Sequence, residues 1–190
     1  MKKLILASSS PRRREILEGL HIPFTVEKSD YEEDMSLPLA PRELAAHLAL
    51  GKAAAVAAKH TDAIVIGADT LVVVGNEVFG KPGTPELARA MLKKLSGTTH
   101  TILTGIALID ADSGEWHTRT EETTVTFRKL SDAEIEEYLE TGEPFDKAGG
   151  YAIQGKGARF VEKIEGRVDN AVGLPGDALL EELAKLGIAV

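Results

Sequence analysis

Leu4-Ile5-Leu6-Ala7-Ser8-Ser9-Ser10-Pro11-Arg12-Arg13-Arg14-Glu15-Ile16-Leu17 reads as a strand running into a helix, and that junction decides the fold class. Residues 4–7 are a short continuous apolar run, as in a strand buried on both faces. Ser10 fits an N-cap and Pro11 the first helical position, where its missing N–H has no partner to lose. Ile16, Leu17 and Leu20 then share one face. A strand that feeds a helix N-terminus leaves backbone N–H groups converging on one point, with the positive end of the helix dipole behind them. Such a junction binds anions. Three serine hydroxyls add donors, and arginine adds a fork that matches phosphate. At about 100° per residue the three arginines cannot share one direction, so at most one or two line a site. An ordinary capped helix with solvated arginines is the alternative this segment leaves open.

The same alternation continues outward. Residues 21–26 read as a second short strand and residues 27–34 as an acidic loop. Pro41 opens an alanine-rich helix with Leu44, Leu48, Ala55 and Ala58 at helical spacing. Residues 63–66 are a buried-strand run that ends in Gly67-Ala68-Asp69-Thr70. Residues 71–74 and 77–79 flank Gly75-Asn76, a hairpin turn. Thr84-Pro85 caps a helix carrying Leu87, Met91, Leu92 and Leu95, which Gly97 stops. Residues 101–110 and 115–127 read as long strands around a turn at 111–114. Ser131 with Glu134 makes a capping box, Leu130 with Ile135 a hydrophobic staple, and Gly142 ends that helix. A glycine-rich loop at 149–157, a strand at 159–164 and an amphipathic helix at 177–186 complete the chain. This order predicts a mixed-sheet α/β domain.

The totals agree. A chain of 190 residues suits one domain, with room for two lobes around a cleft. The 43% hydrophobic and 27% charged content is that of a globular protein. With no cysteine there is no disulfide framework, thiol nucleophile or cysteine-based zinc site, which suits a reducing cytosol. The N-terminal apolar run is too short for a secretory signal and is followed by arginines, and no stretch is long enough for a membrane span. The expectation is a cytoplasmic protein. The net charge is −8, and residues 1–14 carry five basic groups and no acid. The remainder holds 17 basic against 30 acidic residues, a net of −13. That balance opposes extended binding to a nucleic-acid backbone and suits a small anionic ligand at one basic site.

Chemistry-bearing candidates lie along the chain. Asp69 is expected at the carboxyl end of a central strand, where open α/β sheets bind ligands. A carboxylate there can bind a divalent metal or activate water, or can simply cap the next element. Gly75-Asn76-Glu77-Val78-Phe79-Gly80-Lys81 matches a P-loop up to its last position, but Pro82 stands where a hydroxyl must hold magnesium. A hairpin also replaces the required strand-to-helix context, so the P-loop reading fails. Lys81, between Gly80 and Pro82, remains a candidate phosphate ligand. Of the acid cluster Asp30, Glu32, Glu33 and Asp34, one member could complete a metal site with Asp69, although such runs are commonly solvated. In the run from Asp146 through the glycine-rich loop, small residues permit close approach to a ligand and Gln154 can read a base edge, unless the loop is a plain connection. The five histidines have no metal spacing and carry no assigned chemistry, and Trp116 and His117 read as structural.

Taken together these segments resemble the Maf family of nucleoside triphosphate pyrophosphatases. The resemblance rests on LASSSPRRREIL at the start, Glu32-Glu33, Lys52, IGADT at 66–70 and GKP at 80–82. It continues with LSGTTH at 95–100, DKAGGYAIQGKG at 146–157 and VGLP at 172–175, in the family's order. It implies a single domain over residues 1–190, with a mixed twisted sheet flanked by helices and a central cleft, similar to inosine triphosphate pyrophosphatases. It implies hydrolysis between the α and β phosphates to a monophosphate and pyrophosphate, with a divalent metal cofactor, Mg²⁺ or Mn²⁺. Carried over by motif, Asp69 is the proton acceptor and shares the metal with Glu33, while Ser8, Arg13, Lys52 and Lys81 contact the phosphates. Arg12, Thr70 and Gln154 follow the branch that prefers dTTP and UTP, where the branch for 7-methyl-GTP has Trp, Gln and a Ser-Glu-Gly. Modified pyrimidine triphosphates stay open as substrates. The usual Ala-Tyr-Gly is here Gly150-Tyr151-Ala152, which moves the most flexible residue. The partners implied are the triphosphate substrate and neither nucleic acid nor membrane, and a homodimer is compatible. The family has also been associated with septum formation and division arrest, so a nucleotide-binding regulator acting without hydrolysis is the alternative.

Overall fold

The computed structural model describes residues 2–188. Among them the strands and α-helices follow the order β1 (Lys3–Ala7), α1 (Pro11–Gly19), β2 (Thr25–Glu27), α2 (Pro41–Ala57), β3 (Ala63–Val74), β4 (Glu77–Phe79) and α3 (Pro85–Leu95). They continue with β5 (Thr99–Asp110), β6 (Trp116–Phe127), α4 (Asp132–Glu140), β7 (Val161–Gly166), α5 (Val168–Val172) and α6 (Gly176–Lys185). The strands form one mixed sheet in the order β2-β1-β3-β5-β6-β7, with β4 paired to β3. β1 lies parallel to both β2 and β3, whereas β4 and β7 run antiparallel to their partners. The expected mixed-sheet α/β class is therefore correct.

The chain divides into two compact units. The first runs to Asp69 and adds Thr104–Glu121 and the chain from Gly173 onward. In it, side-chain alternation splits β1 and β3 cleanly. Leu4, Leu6, Ile64, Ile66 and Ala68 pack with Leu17 of α1 and Leu179 and Leu183 of α6. Ile5, Ala7, Ala63 and Val65 pack with Ala49, Ala53 and Val56 of α2. Both strand faces are covered, which is why residues 4–7 and 63–66 are apolar throughout. The buried stripe of α2 runs through Leu44, Ala45, Leu48, Ala49, Ala53, Val56 and Ala57. Ala58, expected on that face, is exposed.

The largest departure from the sequence reading is β3. Gly67-Ala68-Asp69-Thr70 does not end the strand but lies inside one twelve-residue strand. Pairing with β1 stops at Ile66, yet the strand runs on to pair Val72–Val74 with β4, and β5, equally long, neighbours β3 in the sheet. Gly67 is a packing residue and not a turn former, since a Cβ there would lie 2.2 Å from the Ala49 carbonyl oxygen of α2. Two boundaries also shift. β2 is only Thr25–Glu27, because His21 has φ 57° and β1 offers just Ile5–Ala7 as partners. β7 begins at Val161, because Lys156–Phe160 forms a 3₁₀ turn. The short helix α5 adds an element for which the sequence pattern predicts none.

The second unit comprises Thr70–Leu103 and Glu122–Val172. The Gly75 hairpin forms as expected, with Val74 opposite Glu77. So does the Ser131 capping box of α4, whose staple residues Leu130 and Ile135 are buried. The glycine-rich region is a chain of short 3₁₀ turns at Glu143–Asp146, Ala148–Gly150 and Lys156–Phe160. Gly150 takes φ 73°, so the displaced glycine of the Gly-Tyr-Ala sequence occupies a left-handed position. Tyr151, beside it, is buried and its hydroxyl meets His100 Nε2 at 2.7 Å, with Phe127 edge-on to both rings.

Burial of His100 pushes its pKa down from 6.5 to about 4. The unfolded chain therefore binds a proton that the folded chain refuses as the pH falls through this window. Stability present above pH 6.5 is lost progressively toward pH 4, on the order of 3 kcal/mol in all at ~1.4 kcal/mol per pH unit. Urea unfolding of the wild type at pH 7, 6 and 5 is expected to reveal this loss, and His100→Gln to flatten it. Equal slopes in both proteins would exclude His100 as the source.

Candidate active site

The opening junction forms as its sequence requires. Ser8 follows β1 directly and is 7% exposed. Its Oγ accepts from the Ser10 N–H at 3.2 Å and from Arg13 Nη1 at 3.5 Å. Ser10 caps α1 by accepting from the Arg13 N–H, with Pro11 in the first turn. The helical turn separates the three arginines. Arg13 is turned inward and its Nε donates to the Gly173 carbonyl at 2.7 Å. Arg14 points outward to pair with Glu18. Arg12, just before them in sequence, is half-buried.

Asp69 is 5% exposed and sits mid-strand, three residues beyond the last pairing of β3 with β1. It shares the α2-facing side of β3 with Gly67. Because Gly67 lets α2 approach to backbone contact, Lys52 of α2 reaches the strand and its Nζ hydrogen-bonds Asp69 Oδ1. The same Nζ pairs with Glu33 Oε1 at 2.8 Å. The acidic loop is brought there by Tyr31, whose ring lies on Gly51; a Cβ at position 51 would stand 2.3 Å from it. Within the acid run the roles divide. Asp30 pairs with Lys59, Asp34 accepts from Ser36, and Glu33 joins Lys52.

Burial raises the Asp69 carboxyl above its usual range, Lys52 and Arg13 oppose that shift, and Glu33 adds to it. Asp69 Oδ2 is buried with no hydrogen-bond partner among the described residues. A carboxylate held this way, half satisfied and close to cations, is suited to accept a proton or to bind a cation. Burial lowers the pKa of Arg13 while Asp69 opposes it, and a guanidinium stays charged regardless.

Thus the structure joins Ser8 to Arg13 and, through Lys52, Glu33 to Asp69, all within the first unit. Arg13 lies within electrostatic reach of both carboxylates. Thr70, Lys81 and Gln154 belong to the second unit. Thr70 follows Asp69 in β3 and therefore projects from the opposite face, the face of Val72. Val72 packs against Gly149 of the glycine-rich region. Lys81 is exposed, and its neighbour Gly80 accepts from the Gly149 N–H at 3.1 Å. Gln154 is exposed. Residues 75–81 are hairpin and turn, and the next helix starts at Pro85 under a Thr84 cap, which removes the P-loop. Tyr31, Gly51 and Gly67 escaped the sequence reading because nothing local marks an aromatic or a glycine as a packing partner of a distant element.

Among known proteins, the Maf-like protein family matches residues 3–186. A dTTP/UTP pyrophosphatase of Moorella thermoacetica is 51% identical over 100% of this chain and 98% of its own length. The dTTP/UTP pyrophosphatase of Pelotomaculum thermopropionicum is 46% identical over all of both chains. That of Methanosarcina mazei is 47% identical over 100% of this chain and 97% of its own.

Proposed function

This chain belongs to the Maf-like protein family, and we infer that it is a nucleoside triphosphate pyrophosphatase that hydrolyses dTTP and UTP to the monophosphate and pyrophosphate. The observation that carries the mechanism is the buried Lys52–Asp69 pair with its unsatisfied Asp69 Oδ2. In this reading Asp69 takes the proton from the attacking water. Ser8 and Arg13 bind phosphate at the α1 N-terminus, where N–H groups and helix dipole add to their charge. Lys52 and Lys81 offset charge that grows on the departing pyrophosphate.

The donor set fits a divalent cation. Glu33 and Asp69 would hold it, as hard oxygen ligands suited to Mg²⁺ or Mn²⁺. No group of three or more potential ligands occurs among the described residues, so water and phosphate oxygens would fill the remaining positions, as Mg²⁺ prefers. Bound there, the cation would shield the triphosphate and acidify water. Arg12, Thr70 and Gln154 select the pyrimidine. No helix among the described residues is long and apolar enough to cross a membrane. We place its action in the cytoplasm, a compartment whose reducing conditions suit the cysteine-free composition.

The test is a panel of dTTP, UTP, CTP, ATP, GTP and 7-methyl-GTP with Mg²⁺ or Mn²⁺, with products resolved chromatographically. Monophosphate and pyrophosphate are expected, with kcat/KM for dTTP and UTP at least about tenfold above the purines, the worth of one lost hydrogen bond to the wrong base. Orthophosphate with diphosphate would overturn the reaction. Equal turnover of 7-methyl-GTP would overturn the base assignment.

A further inference from the structure

The turn that carries Gln154 is held from beneath by a carboxylate that lies outside the 146–157 motif. Glu143, at the start of the first 3₁₀ turn, is only partly exposed. Its Oε1 accepts from the Tyr138 hydroxyl at 2.7 Å and from the Gly157 N–H at 3.1 Å. Its Oε2 accepts from the Lys156 N–H at 3.0 Å. The carboxylate also lies flat against Gly155, where a Cβ would stand 2.5 Å from Oε1 and 2.6 Å from Oε2. Tyr138, fully buried in α4, completes the clasp by accepting from the Ala152 N–H at 3.1 Å. Backbone N–H groups on both sides of Gln154 are thus tied to one Tyr–Glu pair. Burial pushes the Glu143 carboxyl upward, but the donors from Lys156, Tyr138 and Gly157 outweigh it and keep the group an anion.

Gln154 itself is exposed, so where its amide points depends on the backbone that carries it. A base reader on an otherwise mobile glycine-rich turn would spend binding energy on ordering that turn. A charge-assisted clasp removes that cost in advance.

We propose that Glu143 is a specificity-positioning residue, which with Tyr138 fixes residues 152–157 so that Gln154 is presented to the pyrimidine base. The proposal rests on the reading of Gln154 as a base selector, and the test separates the two. kcat and KM are measured for dTTP and GTP in Glu143→Ala, Glu143→Gln, Gln154→Ala and the Glu143→Ala/Gln154→Ala double variant. Glu143→Ala is expected to raise KM for dTTP about tenfold with kcat changed less than about threefold, and to lower the dTTP:GTP ratio of kcat/KM about as far as Gln154→Ala does. The double variant is expected to match the more severe single one, as for two residues acting through one contact. Glu143→Gln, which keeps a carbonyl acceptor, is expected to recover part of the ratio.

If Gln154→Ala lowers the ratio and Glu143→Ala leaves it unchanged, the positioning role is wrong while the base reading survives. A Glu143→Ala loss equal for both substrates would likewise reduce Glu143 to a structural part. If Gln154→Ala leaves the ratio unchanged, the base reading falls and the proposal with it. Should Glu143→Ala not fold, Gly155→Ala serves instead, since its methyl group displaces the carboxylate without removing it. An unaltered ratio in a folded Gly155→Ala protein would overturn the proposal.

Discussion

Asp69→Asn is expected to lower kcat for dTTP by about 10²–10⁴-fold while the protein still folds. Asparagine keeps the shape of the side chain and an oxygen for Lys52, so the packing between β3 and α2 is retained. What it loses is the ability to take a proton and the negative charge beside Lys52 and Arg13. The fold should tolerate that loss, because ionising a carboxyl that is 5% exposed already costs desolvation, as its raised pKa records. Lys52 keeps Glu33 as a counter-ion. Steady-state kinetics with dTTP and thermal unfolding monitored by circular dichroism are read together. A folded Asp69→Asn protein that retains turnover within a few-fold of wild type would remove Asp69 from the proton-accepting role.

Gly67→Ala is expected to destabilise the fold by at least about 3 kcal/mol, or ~6–12 °C in Tm for a chain of this size. The added methyl carbon would stand 2.2 Å from the Ala49 carbonyl oxygen and 2.9 Å from the Ala53 nitrogen, both backbone atoms of α2. No side chain can swing away to relieve that overlap, so the helix itself must move. Gly105 of β5 is pressed by the same helix, since a Cβ there would stand 2.2 Å from the Ala45 carbonyl oxygen, which leaves little direction for escape. Displacing α2 also withdraws Lys52 from Asp69. Any Gly67→Ala protein that folds should therefore lose turnover as well as stability. A melting temperature within about 1 °C of wild type would mean that the helix does not press on the strand as described.

The sequence alone determined whatever depends on nearest neighbours in the chain. The Ser10-Pro11 start of α1, the Gly75 hairpin and the Ser131–Glu134 box all formed, because caps and turns are local hydrogen-bond problems. Apolar runs marked β1 and β3 as doubly buried, and the order of elements carried the α/β class. Helical geometry also limited how many arginines could line the junction, and the structure selects Arg13 while Arg14 turns to Glu18. Only the tertiary structure decided what distant segments do to each other. Gly67 has the composition of a turn signal, yet its role is set by a helix 14 residues earlier in the chain, at Ala53, and the strand runs through it. Which acid of the 30–34 loop meets Lys52 depends on Tyr31 settling on Gly51, a contact with no sequence period. Local propensity acts through a few covalent neighbours, whereas the positions of Lys52, Glu33 and Asp69 follow from how closely backbones can approach. That distance is a property of packed pairs of elements and is written in no single stretch of the chain.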